Sequence, residues 1–228
     1  MNIYRKEFRG TVRADVLPAD VKNAAKKAEE SASLLREKGV LMTVGLYYFE
    51  RQLFLYYETT EETLMPEAFL KEMAPYLLPW PEKGDPVLWA PMYPIYWHSV
   101  PKSVEEWVRP KEPTRRVGRI ALLKHETMFE YVYHHFAIVR EGVFKGDRYQ
   151  FISLHEDMLF SYYEEPRTNV CVREESGELP RTEPGSPEEP VSEALKAWVN
   201  TDPGSHFVPL PGSNGANFLE LPAYFILG

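Results

Sequence analysis

Blocks of alternating and helical hydrophobic pattern follow one another in a regular order along the first half of the chain. A strand pattern over residues 4–16 precedes a segment over residues 18–38 whose apolar positions recur at spacings near 3.6. Pro18 suits the first turn of that helix, and Gly39 suits the position just past its end, where a left-handed conformation favours glycine. Two aromatic-rich strands then flank a tight turn at residues 50–52, which predicts a β-hairpin.

The second half of the chain shows the same order of elements. Residues 119–166 read as an apolar strand, a helix, a second strand, a short acidic turn and a third strand. Adding 106 to the first-half numbers aligns the two hairpins with six identities across positions 48–58. The identical pairs are Glu50 and Glu156, Leu53 and Leu159, Phe54 and Phe160, Tyr56 and Tyr162, Tyr57 and Tyr163, and Glu58 and Glu164. A chance likeness of two aromatic hairpins is the alternative, but the shared element order favours an internal repeat.

Each half therefore predicts strand, helix, strand, strand, helix, strand, which is the ferredoxin-like order. We expect an α+β protein with a first unit over residues 1–113 and a second over residues 114–228, the second interrupted by an acidic, Pro-rich insertion at residues 167–190. The insertion is expected to be a solvated or disordered loop. A sheet with helices on one face leaves its other face apolar. The two units are therefore expected to pack sheet to sheet as a pseudo-dimeric α/β barrel, with further homo-oligomerisation left open.

Composition narrows the classes of partner. The formal net charge of −8 argues against a nucleic-acid groove, which needs a basic surface. A single cysteine, Cys171, excludes an intrachain disulfide and suits a reducing compartment. The first residues have no apolar signal-peptide core, and the longest nearly apolar run, at residues 40–49, is too short to cross a bilayer. We expect a cytoplasmic protein without nucleic-acid or membrane partners.

The candidate chemistry lies on the helix of the second half. Tyr131 and His135 stand four residues apart, so their side chains project from the same side of a helix. Imidazole both gives and takes protons near neutral pH, while a phenol keeps its proton and acts as donor. Met128, Val132, His135 and Val139 recur at spacings of four, three and four and form one stripe, which Tyr131 flanks. The alternative is that Tyr131 is a core residue and His135 a hydrogen-bonded, half-buried histidine.

The motif Glu130-Tyr131-x-x-x-His135, followed by a strand, an acidic turn and a Leu-Phe strand, resembles the L-rhamnose mutarotase family. The pair Ala197-Trp198 and the ending at residues 219–225 are similar to that family's second helix and terminal strand. The resemblance implies a ferredoxin-like α/β barrel with Tyr131 and His135 as the catalytic pair. Ala25 and Glu29 stand at the matching positions of the first half, so that copy is predicted to lack the site.

On this resemblance the chain is a sugar mutarotase that interconverts the anomers of a monosaccharide by proton transfer. His135 is the general acid and base, Tyr131 is its partner, and Trp198, Tyr133 and His155 bind the substrate. The chemistry requires neither metal nor cofactor. The remaining histidines offer no metal motif such as His-x-His, so no metal site is predicted.

Two further interpretations stay open. The chain is either a non-catalytic tandem α/β barrel that binds a ligand or has a structural role, or a haem or monooxygenase version of the barrel with one histidine as axial ligand. A polar cavity around His135 favours catalysis. A core histidine would instead have one backbone partner.

Overall fold

The computed structural model describes residues 2–81, 84–183 and 185–228 and has an α+β architecture with antiparallel sheets. The strands are β1 (Tyr4–Val12), β2 (Leu41–Phe49), β3 (Gln52–Thr59), β4 (Leu77–Leu78), β5 (Trp89–Pro91), β6 (Tyr93–Trp97), β7 (Arg115–Leu123), β8 (Gly146–Asp147), β9 (Phe151–His155), β10 (Met158–Glu165), β11 (Asn169–Val170), β12 (Phe207–Val208), β13 (Leu219–Glu220) and β14 (Ala223–Leu227). The α-helices are α1 (Pro18–Glu37), α2 (Val104–Trp107), α3 (Met128–Glu141), α4 (Val172–Glu175) and α5 (Glu193–Val199). Short 3-10 helices cover Pro66–Ala68, Lys71–Tyr76, His125–Thr127 and Pro203–His206. Among these described elements, no helix combines the length and apolar character needed to cross a membrane.

The chain divides into two compact units. Unit 1 comprises residues 1–93, 101–112 and 221–228, and unit 2 comprises residues 94–100 and 113–220. Unit 1 thus takes the edge strand β14 from the end of the chain, and unit 2 takes most of its edge strand β6 from before the middle. Closing a long loop adds little entropy cost beyond that of a shorter one, so strand pairing does not require neighbours in sequence.

The sheet of unit 1 has the strand order β14-β2-β3-β1-β4, and β5 also pairs with β1. Helix α1 packs on it through small apolar residues, which confirms the predicted apolar face. Its buried residues are Val21, Ala24, Ala25, Ala28 and Ala32. Gly39 follows the helix with a φ of 72°, as its position in the sequence predicted.

The sheet of unit 2 has the order β12-β7-β10-β9-β6, with β13 also pairing with β7. Helices α3 and α5 pack with this sheet in one hydrophobic cluster. That cluster holds the candidate chemistry, because its buried residues include Tyr131 and Trp198.

Both predicted hairpins are confirmed. β2 pairs with β3 and β9 pairs with β10, each across a tight turn. Glu50 and Glu156 occupy these turns with φ values of 53° and 56°, a left-handed conformation that is uncommon outside glycine, asparagine and aspartate. The two turns therefore match in backbone conformation as well as in sequence.

Two regions differ from their predicted form. The short second helix of the first half is two 3-10 turns, because Pro75 lacks the amide hydrogen that a longer helix needs there. The insertion at residues 167–190 contains the short strand β11 and the short helix α4. Residue 184 of this segment lies outside the described residues. Lys145 ties this segment to unit 2 by donating to the Thr182 carbonyl oxygen over 2.7 Å, so composition underestimated its order.

Candidate functional site

The buried face of α3 supplies the two side chains that the sequence singled out. Tyr131, His135 and Ile138 are its buried residues, and their spacings of four and three place them on one face. Val132 and Val139 are only partly buried. The buried face of the helix therefore runs through Tyr131 and His135.

The rings of Tyr131 and His135 stack, with centroids 3.9 Å apart and planes 20° apart. Trp198 from α5 meets both of them, with its ring centroid 5.3 Å from that of Tyr131 and 5.0 Å from that of His135. The exposed fractions of Tyr131, His135 and Trp198 are 1%, 8% and 9%. The structure thus brings these three predicted site residues together in a nearly water-free environment.

Among the described residues, His135 has one hydrogen-bond partner, a backbone carbonyl oxygen, which is the kind of partner expected of a core histidine and which holds the ring in one tautomer. Its Nδ1 atom lies 2.8 Å from the carbonyl oxygen of Tyr131, and since a carbonyl only accepts, Nδ1 carries the hydrogen. Burial lowers the pKa of His135 to about 4, although the hydrogen bond to Tyr131 acts in the opposite direction. The imidazole is therefore neutral at pH 7, with its lone pair on Nε2. Within the part of the chain that the structure describes, Nε2 has no hydrogen-bond partner.

The Tyr131 hydroxyl also lacks a hydrogen-bond partner among the described residues. Burial raises the pKa of this phenol above its ordinary value, and the positive charge of Arg119 partly opposes the rise. Arg119 is itself mostly buried, with its guanidinium carbon 4.9 Å from the ring centre of Tyr163 and 4.3 Å from that of Phe218. Its Nε atom makes one long contact, 3.4 Å, to the Ser161 hydroxyl. A protonated phenol and a guanidinium thus influence each other in the interior of unit 2.

A second histidine completes the cluster. His206 ends the 3-10 helix Pro203–His206 and is fully buried, with its ring centroid 4.8 Å from that of Trp198. Its Nε2 atom lies 3.1 Å from the Glu130 carboxylate, and its Nδ1 atom is buried with no partner among the described residues. The sequence offered His206 only as one of several loosely spaced histidines. Its contact with Glu130 spans 76 positions, which no local pattern signals.

Two predicted substrate-binding residues lie elsewhere. Tyr133 is 69% exposed on the other side of α3, where its ring contacts His134 at 5.3 Å. His155 is the last residue of β9, next to the hairpin turn, and is partly buried. Their assignment to the ligand site therefore stays a prediction. Across residues 2–81, 84–183 and 185–228, no group of three histidine, cysteine or acidic side chains is arranged to hold a metal ion.

Unit 1 buries a polar cluster of a different kind. The Glu58 carboxylate is fully buried, and Arg109 donates to its two oxygens over 2.7 Å and 2.8 Å. The Trp107 indole and the Tyr56 hydroxyl donate to the same carboxylate over 2.9 Å and 2.7 Å. Burial alone would raise the pKa of Glu58, but the Arg109 guanidinium outweighs it and lowers the pKa to about 2. These donors leave the buried carboxylate well satisfied.

Comparison with known proteins yields no family. No family model matches the chain, and no curated protein matches it. Among solved structures, the chain is similar to a proposed monooxygenase from Fusobacterium nucleatum, with 11% identity and a TM-score of 0.42 over 99% of this chain and 94% of that one. It is similar to a proposed monooxygenase from Lactobacillus acidophilus, with 8% identity and a TM-score of 0.42 over 99% and 96%. An anthrone oxidase-like protein aligns with 10% identity and a TM-score of 0.37 over 100% and 92%.

These findings correct the assignment to the L-rhamnose mutarotase family, which is wrong. No family model supports it, and the solved structures above are described as monooxygenases or oxidase-like proteins. The expectations that followed from this assignment are withdrawn as well, namely the interconversion of anomers, the monosaccharide ligand and the carbohydrate isomerase class. The physical reason is that a tyrosine and a histidine four residues apart share a face in any helix. Such a pair does not identify the molecule that it meets.

Proposed function

We propose that unit 2 binds a small planar organic molecule against the cluster of Tyr131, His135 and Trp198, and that His135 removes a proton from it. One observation carries this proposal. Two polar atoms of the nearly buried cluster have no hydrogen-bond partner among the described residues. These atoms are His135 Nε2 and the Tyr131 hydroxyl. Neither atom is among the fully buried polar atoms, so a ligand can reach both of them, and a donor and an acceptor on two stacked rings favour a ligand that pairs with both.

The electrostatics suit a ligand that becomes an anion. Neutral His135 is ready to accept a proton at Nε2 at pH 7, and the proton leaves the ligand negatively charged. The Tyr131 hydroxyl donates to that charge, and the nearby Arg119 guanidinium attracts it. A negative ligand also stabilises the imidazolium, so ligand binding raises the low pKa of His135 and strengthens it as a base.

The surrounding rings favour a flat, apolar ligand body. Aromatic side chains pack best with other rings in offset or edge-to-face arrangements, and Trp198 already meets both Tyr131 and His135 edge to face. Because the cluster is shielded from water, its hydrogen bonds to a ligand are stronger than those at an exposed site.

Anthrone is a suitable probe, because it is flat and carries an acidic C–H bond. His135 takes the C10 proton, leaving an enolate, and solvent returns a deuteron in D2O. We expect the protein to accelerate deuterium incorporation at C10 by tenfold or more, as followed by NMR, and we expect His135→Gln to abolish the acceleration. Tyr131→Phe should retain part of it. Oxygen uptake measured in parallel reveals whether the enolate reacts further with O2.

Phe129→Ser is the matched control, because Phe129 lies on the same helix and is 80% exposed. Its exchange rate should equal that of the parent. Equal rates in the parent and His135→Gln would overturn the proposal, as would a Soret band in the purified protein, which would indicate a haem site. Saturable binding of anthrone without exchange would indicate a binding protein rather than an enzyme.

We further propose that the two units are tandem repeats of one ferredoxin-like unit, arranged as a pseudo-dimeric α/β barrel in a cytoplasmic protein. The order of the three long strands supports this proposal. In unit 1, β3 lies between β1 and β2, and in unit 2, β10 lies between β7 and β9. In unit 2 the Tyr162 hydroxyl donates to Glu164 over 2.6 Å, as Tyr56 does to Glu58 in unit 1. Association into a homo-oligomer stays a prediction.

A further inference from the structure

The outward face of α3 exposes large aromatic side chains. Phe129 is 80% exposed and Tyr133 is 69% exposed. Tyr133 stands two positions from both Tyr131 and His135, about 200° round the helix, so this face lies opposite the buried one. Phenylalanine is among the residue types most often buried, and an apolar patch on a protein surface marks a site of interaction. The outward face of α3 is therefore a candidate interface.

A cleft of about 270 Å³ lies on the same face, one helical turn beyond Phe129. Its lining residues are Tyr133, Phe136, Ala137 and Arg140. Their spacings of three, four and seven from Tyr133 make them the corners of a gap between neighbouring turns, the kind of hole that receives one side chain of a facing helix. Trp97 supports one wall, because its ring meets that of Phe136 edge to face at 6.0 Å. A cavity of about 150 Å³ holds benzene, so this cleft accommodates a phenyl ring.

An antiparallel pair of α3 helices brings the exposed ring and the cleft together. The middle of the cleft lies between Phe136 and Ala137, three to four residues after Tyr133, and Phe129 lies four residues before Tyr133. When two copies of α3 run antiparallel with their Tyr133 residues level, each residue before Tyr133 is level with the residue equally far after it in the other copy. Phe129 of each copy then meets the cleft of the other, and one two-fold axis relates both contacts.

The same register brings opposite charges together at both ends of the helix pair. Glu126 and Arg140 lie seven residues before and seven residues after Tyr133, and both are exposed. Glu126 belongs to the 3-10 helix that runs directly into α3. Within the part of the chain that the structure describes, neither side chain forms an ion pair. Two contacts between Glu126 of one copy and Arg140 of the other therefore favour this register, because complementary charges select one arrangement over others.

We propose that the outward face of α3 is an interface between two copies of this chain. The two α3 helices pack antiparallel about a two-fold axis beside Tyr133, and Phe129 of each copy inserts into the cleft of the other. An interface of one helix face per copy is small, so we expect a weak dimer with a dissociation constant on the order of 10 μM. The contact lies on the side of α3 opposite His135, so it does not depend on the proposed ligand site.

Sedimentation equilibrium of the full chain at about 1 to 200 μM tests the proposal, since this range brackets the expected dissociation constant. The mean mass should rise with concentration from 26.5 kDa towards twice that value. Phe129→Ser should weaken association at least tenfold, because a buried aromatic side chain carries much of the binding energy of an interface. Leu34→Ser is the matched control, since Leu34 is 57% exposed on α1 and should leave association unchanged.

Exchange of the two charges tests the register. Arg140→Glu places like charges opposite each other at both ends and should weaken association by about tenfold. The further change Glu126→Arg re-forms both pairs with the charges reversed and should restore the affinity of the parent. Glu188→Arg in its place gives the same net charge at an exposed residue of the insertion and should not restore it.

Three outcomes would overturn the proposal. A parent that stays monomeric at the highest concentration would reject the interface. Association of Phe129→Ser as tight as that of the parent would show that another surface joins the copies. Failure of Glu126→Arg to restore the association lost in Arg140→Glu would reject the antiparallel register. Circular dichroism should show the parent's spectrum for every variant, because all the changed residues are exposed.

Discussion

The main helices of the two units have opposite kinds of buried face. Helix α1 of unit 1 buries alanines, among them Ala25 and Ala28, and carries no polar atom into the core from them. Helix α3 of unit 2 buries Tyr131 and His135 instead. A row of alanines lets a helix approach its sheet closely, whereas large polar rings need partners for their nitrogen and oxygen atoms. The helix face that α3 buries therefore contains polar ring atoms, whereas the face that α1 buries does not.

One buried carboxylate of unit 1 and two buried histidines of unit 2 differ in the same sense. Glu58 in unit 1 is saturated by donors from Arg109, Trp107 and Tyr56. In unit 2, His135 and His206 each have one nitrogen with a partner and one without, among the described residues. A saturated network stabilises a fold, while unpaired acceptors in a water-poor interior are the feature on which the proposed ligand site rests.

The largest expected effect comes from breaking the saturated network of unit 1. Arg109→Leu leaves the charge of Glu58 buried without its main partner, which should lower the free energy of unfolding by about 3–5 kcal/mol. Urea denaturation, monitored by circular dichroism, measures this change in the free energy of unfolding. Arg115→Leu is the control, because the exposed ion pair between Arg115 and Glu220 should contribute less than about 1 kcal/mol to the free energy of unfolding. A loss from Arg109→Leu as small as that of the control would contradict a structural role for the cluster.

Acid should act on the two clusters in two different pH windows. The pKa of folded His135 is about 4, below its ordinary value of 6.5, so the unfolded chain binds a proton first and stability falls as pH drops from 6.5 to 4. The loss should approach about 3 kcal/mol. The folded pKa of Glu58 is about 2 against an ordinary 4.5, so its contribution is present above pH 4.5 and is lost on the way down to 2.

Denaturation curves at pH 4 to 7 measure the upper window. His135→Phe should remove the stability loss between pH 6.5 and 4, and His125→Gln should leave it intact, because the side chain of His125 is 80% exposed. An unchanged pH dependence in His135→Phe would show that another group titrates there.

The alanine face of α1 should resist larger side chains. Ala28 is fully buried, so Ala28→Leu should cost about 1–3 kcal/mol of unfolding free energy through overpacking. Lys27→Leu adds an apolar side chain at the neighbouring exposed position and should change stability by less than about 0.5 kcal/mol. Thermal unfolding of both variants checks the expectation. If Ala28→Leu is as stable as the parent, the inference that α1 packs closely on its sheet is wrong.

The smallest expected effect concerns the hairpin turns. Glu50 has a φ of 53°, and asparagine tolerates this conformation better than glutamate, so Glu50→Asn should raise stability by a few tenths to about 1 kcal/mol. Glu50→Ala keeps the unfavourable conformation and should bring no such gain. A shift of the thermal midpoint distinguishes the two variants.

The amino-acid sequence by itself determined the elements whose signals are local. The start of α1 at Pro18, the left-handed Gly39 after it and the tight turns at Glu50 and Glu156 all depend on residues within a few positions of each other. The shared helix face of Tyr131 and His135 is equally local, because it follows from a spacing of four. For the same reason the motif misled the assignment of a family, since the spacing carries no information on the ligand.

Only the tertiary structure decided which distant groups meet. Glu130 contacts His206 across 76 positions, and Arg109 contacts Glu58 across 51. The edge strands β6 and β14 pair with strands far from them in sequence. Such contacts arise when elements pack, and no residue near Glu130 or Glu58 in the chain signals its partner. The physical reason is that hydrophobic burial is non-directional, so a pattern predicts that a face is buried but not what it is buried against.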